Sequence, residues 1–323
     1  MKKSIFNLKS FTTFVAAFAV VFTMVFSSCE KNQEAVANHD DFKQWQAAVE
    51  YDLSQINAAN ARNVVDQQSV RLKKGWKIGK VCAVFGADVC SAVEGGRIGA
   101  KVGAFIGTLA GGNTLTGAAV GGAVLGLICG VGGSYAVSNE IVTYSSSDLD
   151  VTGFSSVDLG NIRIENVNYN PYDYSMGQRH NELLHELLTM NFPDNMSMYD
   201  RFIRSGLLTT EELDVLNLNK NLINATFAYF SSPDTFDSSD ETKALEQLKI
   251  YARTTIDDDK KFVVMTNFID GLFTASDVVT LTYAYENYIK SIETLDPSQK
   301  SDLLGRCAIA KYSSEFNKQL AIE

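Results

Sequence analysis

The sequence predicts a mainly α-helical protein, with a glycine-zipper helical hairpin ahead of a C-terminal helical bundle. Two observations carry this. Small residues recur at every fourth position through much of residues 75–138, and residues four apart share one helix face. After Pro171, apolar residues recur at helical spacing in segments that open on capping residues. The chain divides into residues 1–28, an export signal; 29–70, a tether and N-terminal helix; 71–138, a basic segment and the hairpin; 139–175, a linker; and 176–323, the bundle.

Lys2, Lys3 and Lys9 precede an apolar run from Phe11 to Phe26, followed by Ser27, Ser28 and Cys29. A basic start, an apolar middle and small residues before a cut describe an export signal. The apolar run of 16 residues is short against the roughly 20 that a spanning helix needs. The Phe26-Ser27-Ser28-Cys29 end resembles the lipobox of bacterial lipoproteins, although Phe26 stands where that family usually has Leu. The resemblance implies that Cys29 becomes the first residue and carries lipid, palmitate included. Removing residues 1–28 takes away three lysines and no acid, so the formal net charge goes from −10 to −13. An acidic exported chain is a poor ligand for nucleic acid, and no nucleic-acid partner is expected.

Residues 30–40 are polar and read as a tether. Phe42, Trp45, Ala48, Val49, Leu53 and Ile56 have the spacing of one helix face, and Asp40 or Asp41 is placed to cap it. Residues 57–70, rich in Asn, Gln and Ala, read as less ordered. Arg71, Lys73, Lys74, Lys77, Lys80, Arg97 and Lys101 then face only Asp88 and Glu94. Such a run suits anionic lipid headgroups beside an apolar segment, or simply a solvated helix face.

The small-residue stripe contains Gly95, Gly99, Gly103, Gly107 and Gly111, and resumes at Gly122, Gly126 and Gly130 before Ser134 and Ser138. These glycines are the expected helix-packing residues, because small side chains let two backbones approach closely. Each step of four advances about 40° beyond a full turn, so a long stripe winds around its helix and calls for steep crossings or a break. Glu94-Gly95-Gly96 is the expected break. No charged residue occurs from Val102 to Ser138, and Gly111-Gly112-Asn113-Thr114 has the composition of a turn. Two readings follow: a hairpin that associates with a bilayer, or one buried beneath the C-terminal helices.

This hairpin resembles the glycine-zipper segments of bacterial envelope lipoproteins and, more loosely, of membrane-active bacteriocins. That implies membrane contact or close helix packing. Gly86-Ala87-Asp88, the Gly177–Asn181 segment and the Ala308–Ser313 segment are similar to lipoproteins of Bacteroidetes-type bacteria, a group whose resemblance implies no activity.

Residues 139–175 mix Val, Ile and Phe with Ser, Asp and Asn, and read as a linker with one short hairpin at most. Beyond Pro171, Leu183, Leu184, Leu187 and Leu188 make one stripe. Thr209 with Glu212 and Ser238 with Glu241 have capping-box spacing. A helix containing Phe262, Val263, Met265, Phe268 and Ile269 should end near Gly271. Ser276 or Asp277 opens the next, and Asp296-Pro297 the last.

No residue is assigned to catalysis, to a cofactor or to a metal. His180 and His185 diverge by roughly 140° on a helix, and Glu182 with His185 has the spacing of a di-iron bundle motif without the second copy it needs. His180 and Asn181 read as capping or surface residues, the Asp234–Glu241 and Asp257–Asp259 groups as solvated turns and caps. Cys82, Cys90, Cys129 and Cys307 read as free, buried small residues. The expectation is a lipid-anchored envelope protein that meets the membrane through its anchor, with the hairpin membrane-associating or structural, at the outer membrane or cell surface. A secreted membrane-active toxin comes second, and a helical ligand-binding protein or enzyme third.

Overall fold

A computed structural model describes residues 39–61, 86–87, 124–138, 158–162, 164, 170–193 and 195–321. Among these the protein is mainly α-helical, with no strand. The helices are α1 (His39–Asn60), α2 (residues 124–138), α3 (Arg179–Thr189), α4 (Met198–Ser205), α5 (Thr210–Leu218), α6 (Lys220–Ser231), α7 (Glu241–Thr255), α8 (Asp259–Thr274), α9 (Val278–Ser291) and α10 (Pro297–Ala321). A 3-10 turn spans Leu159–Asn161 and a π-helical turn spans Asp173–Gln178. Cys29, Gly95, Gly99, Gly103, Gly107, Gly111 and Gly122 lie outside the described residues, as do Cys82 and Cys90.

The chain forms two compact units, residues 1–48 and Val49–Glu323. In the first, Phe42 stacks on Trp45 with centroids 5.6 Å apart. In the second, Val49 and Leu53 of α1 are buried, as their spacing predicts. The helix runs on through Asn57 and Asn60, into the stretch expected to be less ordered, because both amides find distant or local acceptors. Asn57 donates to the Asn267 carbonyl at 2.9 Å and accepts from the Tyr285 hydroxyl at 2.9 Å. The Asn60 carbonyl receives the Ser276 amide at 2.8 Å.

Caps set most of the later boundaries. Thr209 and Glu212 form the predicted capping box at the start of α5. The same Glu212 carboxylate takes two donors from Arg179, at 2.9 and 3.1 Å, which ties α3 to α5. Asp277 caps α9 and Pro297 is the first residue of α10. Asp240, not Ser238, caps α7: its carboxylate receives the amides of Thr242 and Lys243. Likewise α8 does not stop at Gly271 but continues to Thr274. Gly271 is there for close approach, since a Cβ would overlap the Asn57 side chain.

α10 lies at the centre of the bundle, touching α3, α8, α9 and the π-turn. Every residue from Leu303 to Ser314 is buried, so this helix shows no one-sided stripe. Phe202, Phe230, Phe236, Phe268, Tyr285 and Phe316 are fully buried around it and its neighbours.

α2, the second arm of the expected hairpin, is buried from residue 125 to residue 138, Gly126 and Gly130 included. It meets α4 and α6. The Arg201 guanidinium donates to the Tyr135 hydroxyl at 2.6 Å and lies over the Tyr135 ring, and that ring packs on Phe227 at 6.2 Å. A Cβ at Gly132 would sit 3.8 Å from Met198. No helix among the described residues is long and apolar enough to cross a membrane.

Candidate functional site

The most unusual chemistry in the molecule is a charged cluster with no access to solvent. It begins at Asn170-Pro171. The proline ring disfavours a helical conformation at Asn170, so the Asn170 side chain is available to organise the turn that follows. Its Oδ1 accepts the Tyr172 amide at 3.0 Å, and its Nδ2 donates to Glu286 Oε1 at 2.8 Å and to the Leu304 carbonyl at 2.6 Å. The chain then widens into the π-turn, in which the Gly177 amide reaches the Tyr172 carbonyl at 3.2 Å. π-turns of this kind often occur at functional sites.

Two glycines let this turn lie against α10. A Cβ at Gly177 would come within 2.7 Å of the Ala308 carbonyl oxygen, and one at Gly305 within 2.6 Å of the Met176 sulfur. The first obstacle is backbone and cannot rotate away. Gly177→Ala is therefore expected to lower stability by about 1–3 kcal/mol, read as a lower midpoint in a urea titration; an unchanged midpoint would mean the turn is not held this closely.

The close approach delivers Asp173 to Lys311. Lys311 Nζ is 2.7 Å from Asp173 Oδ1 and 2.9 Å from Glu286 Oε1, and sits 4.6 Å from the centroid of the Tyr283 ring. All three charged side chains are 0% exposed. Asp173 Oδ2 and Glu286 Oε2 accept no hydrogen bond from the described residues. Burial pushes the Asp173 carboxyl up to about 6, against the pull of Lys311.

A second ionic group lies about one and a half to two and a half turns back on α10. Asp302 receives Arg306 at 2.5 Å and Lys261 at 3.0 Å. Burial acts against its charge, yet the two cations hold its carboxyl below the usual range. Cys307, between the two groups, is a free thiol raised well above its ordinary value by burial, which favours its protonated form.

His180 and Asn181 are not surface residues. Both are buried on the face of α3 that meets α10. The Asn181 amide donates to the Tyr312 carbonyl at 2.8 Å, and its Oδ1 lies 3.2 Å from His180 Nδ1. His185 lies edge-on to Phe316. Gln178, Asn181, Glu182 and Tyr312 line one side of a shallow cavity of about 180 Å³, closed on the other by Leu159, Gly160 and Ile162. Its polar groups are already engaged: Glu182 accepts from Gln178 and Arg179.

A substrate atom cannot reach carboxylates that are 0% exposed, and the cavity presents no nucleophile–base pair. Of the expected packing glycines, Gly126 and Gly130 fall in the buried α2. Asn170, Asp173, Glu286 and Lys311 were not candidates on sequence grounds. The available signal was Lys311 itself, the one charge between Cys307 and Ser314 in a run of small and apolar residues. No protein-family model, curated protein or solved structure matches the chain.

Proposed function

We propose that this is an exported envelope lipoprotein, held at the outer membrane or cell surface by an acylated Cys29, whose glycine-rich hairpin is structural. The observation that carries the structural use of the hairpin is the burial of α2 from residue 125 to residue 138 against helices of the C-terminal bundle. A helix whose every face is covered by its own protein offers nothing to lipid while folded. The anchor is then the lipid at Cys29, where more than one acyl chain on the same residue supplies the two signals that stable attachment takes. The acidic balance of the remaining chain, −13 after residues 1–28 are removed, disfavours a broad electrostatic contact with anionic headgroups. Its partners would be the membrane through the anchor and, at the exposed bundle, another envelope protein.

Changing Cys29→Ala is expected to move the protein from the membrane fraction to the soluble fraction, or to leave the signal uncut. The mass of the mature N-terminus should exceed that of the unmodified chain by its acyl groups. A Cys29→Ala protein whose signal is cut, yet which still sediments with membranes, would assign anchoring to the hairpin.

A further inference from the structure

We propose that the Asp173–Glu286–Lys311 cluster is a proton-binding site that tightens the bundle as its surroundings become mildly acidic. The geometry supplies the reason. One ammonium serves two carboxylates, at 2.7 and 2.9 Å, in a site closed to water. The cluster therefore holds one negative charge too many, and an uncompensated buried charge is costly. Three acceptor oxygens, both of Asp173 and Glu286 Oε2, lack hydrogen-bond donors among the described residues, with Lys311 meeting Asp173 as an ion pair. A proton on Asp173 removes the excess charge and supplies an O–H donor in the same place. Asn170 donates to the Glu286 carboxylate, whereas Asp173 has no such donor among the described residues.

The other groups facing Asp173 do not remove the excess. From α10, Arg306 shares Asp302 with Lys261, and neither cation is within ion-pair distance of Asp173 or Glu286, while Cys307 and Tyr312 are both raised by burial, with the Asp173 charge adding to each. From α9 come Glu286, the Tyr283 ring and Lys290, whose pull on Asp173 is the weakest of its charged neighbours. From α3 comes the buried His180, and the turn itself adds Tyr174, which is 63% exposed.

The sign follows from the direction of the Asp173 shift. Its carboxyl is raised from 3.8 to about 6 in the folded protein. The stabilisation is thus fully present below 3.8 and lost as pH rises through about 6. Asp237, Asp277 and Asp302 are shifted the opposite way, and their contributions change only at lower pH. A comparison between about pH 7.5 and pH 5 therefore separates Asp173 from them.

The test is a thermal and denaturant melt of the full chain in mild detergent at those two pH values. Wild type should gain about tenfold in its folding equilibrium constant on acidification, which raises the melting temperature by roughly 2–4 °C for a domain of this size. Asp173→Asn carries the neutral form at every pH. It should melt no lower than wild type at about pH 7.5 and lose the tenfold gain. Both proteins carry the same remaining side chains, so the difference between their pH slopes is the quantity read. Equal pH slopes for wild type and Asp173→Asn overturn the proposal. Should Asp173→Asn not fold, carboxyl NMR of aspartate-labelled wild type decides: one aspartate resonance should titrate with a midpoint near 6, and none titrating between about pH 5 and 7 overturns it.

Discussion

Lys311→Met is expected to be the most damaging single substitution in the bundle, costing about 3–5 kcal/mol near neutral pH. Methionine matches the lysine stem in volume, so packing along α10 is largely kept. What is lost is the only ammonium within ion-pair distance of Asp173 and Glu286 among the described residues. Both carboxylates are 0% exposed and cannot recruit water without opening the turn at Asn170–Gln178. The contact with the Tyr283 ring at 4.6 Å goes too. A urea titration at about pH 7.5 reads the loss directly. The companion is the triple variant Lys311→Met, Asp173→Asn, Glu286→Gln, which removes all three charges together. A buried ionic group replaced as a unit is often neutral or stabilising, so the triple variant should recover most of what the single one loses. A single variant within about 1 kcal/mol of wild type, the range of a surface ion pair, would show that the cluster is open to solvent.

The contrast between this cluster and the caps explains what was legible in the chain. Thr209 with Glu212, Asp277 and Pro297 act over three or four residues, so their geometry is written in their spacing. The stripes Val49–Leu53 and Leu183–Leu187 are likewise local. Asn170 and Asp173 sit in a polar stretch that reads as linker, and their meaning lies 116 residues away from Asn170 at Glu286, and further on at Lys311. Spacing carries no trace of such a partner. α10 was hard to read for a related reason. A helix covered on all sides needs no apolar stripe, and its buried Arg306, Lys311, Ser313 and Asn317 look like surface residues until their partners are known. The Ser238–Glu241 pattern misled because the helix starts two residues later, at Glu241, where Asp240 accepts the amides of Thr242 and Lys243. His180 reads as a capping or surface residue because one histidine next to asparagine gives no clue to what α10 presents opposite them.

The glycine stripe is the case where composition allowed two structures, since the same small residues suit a bilayer hairpin and a tight helix contact. Burial of α2 favours the second, and Gly126 is where the two accounts separate most sharply. Gly126→Leu adds four carbons at a buried position. Leucine is the better helix former by roughly 1 kcal/mol, but overpacking costs typically about 1–3 kcal/mol and occasionally more, and a side chain this large belongs at the upper end. The most direct measurement is made on a chain beginning at Glu30, which lacks the acylated cysteine, with and without Gly126→Leu. Thermal melting in buffer is paired with co-sedimentation on anionic vesicles. A structural hairpin predicts a melting temperature lower by several degrees, roughly 2–4 °C per kcal/mol, and vesicle binding that is weak and unchanged. An unchanged melting temperature together with stronger vesicle binding would place the glycine-rich arm in lipid and contradict the account.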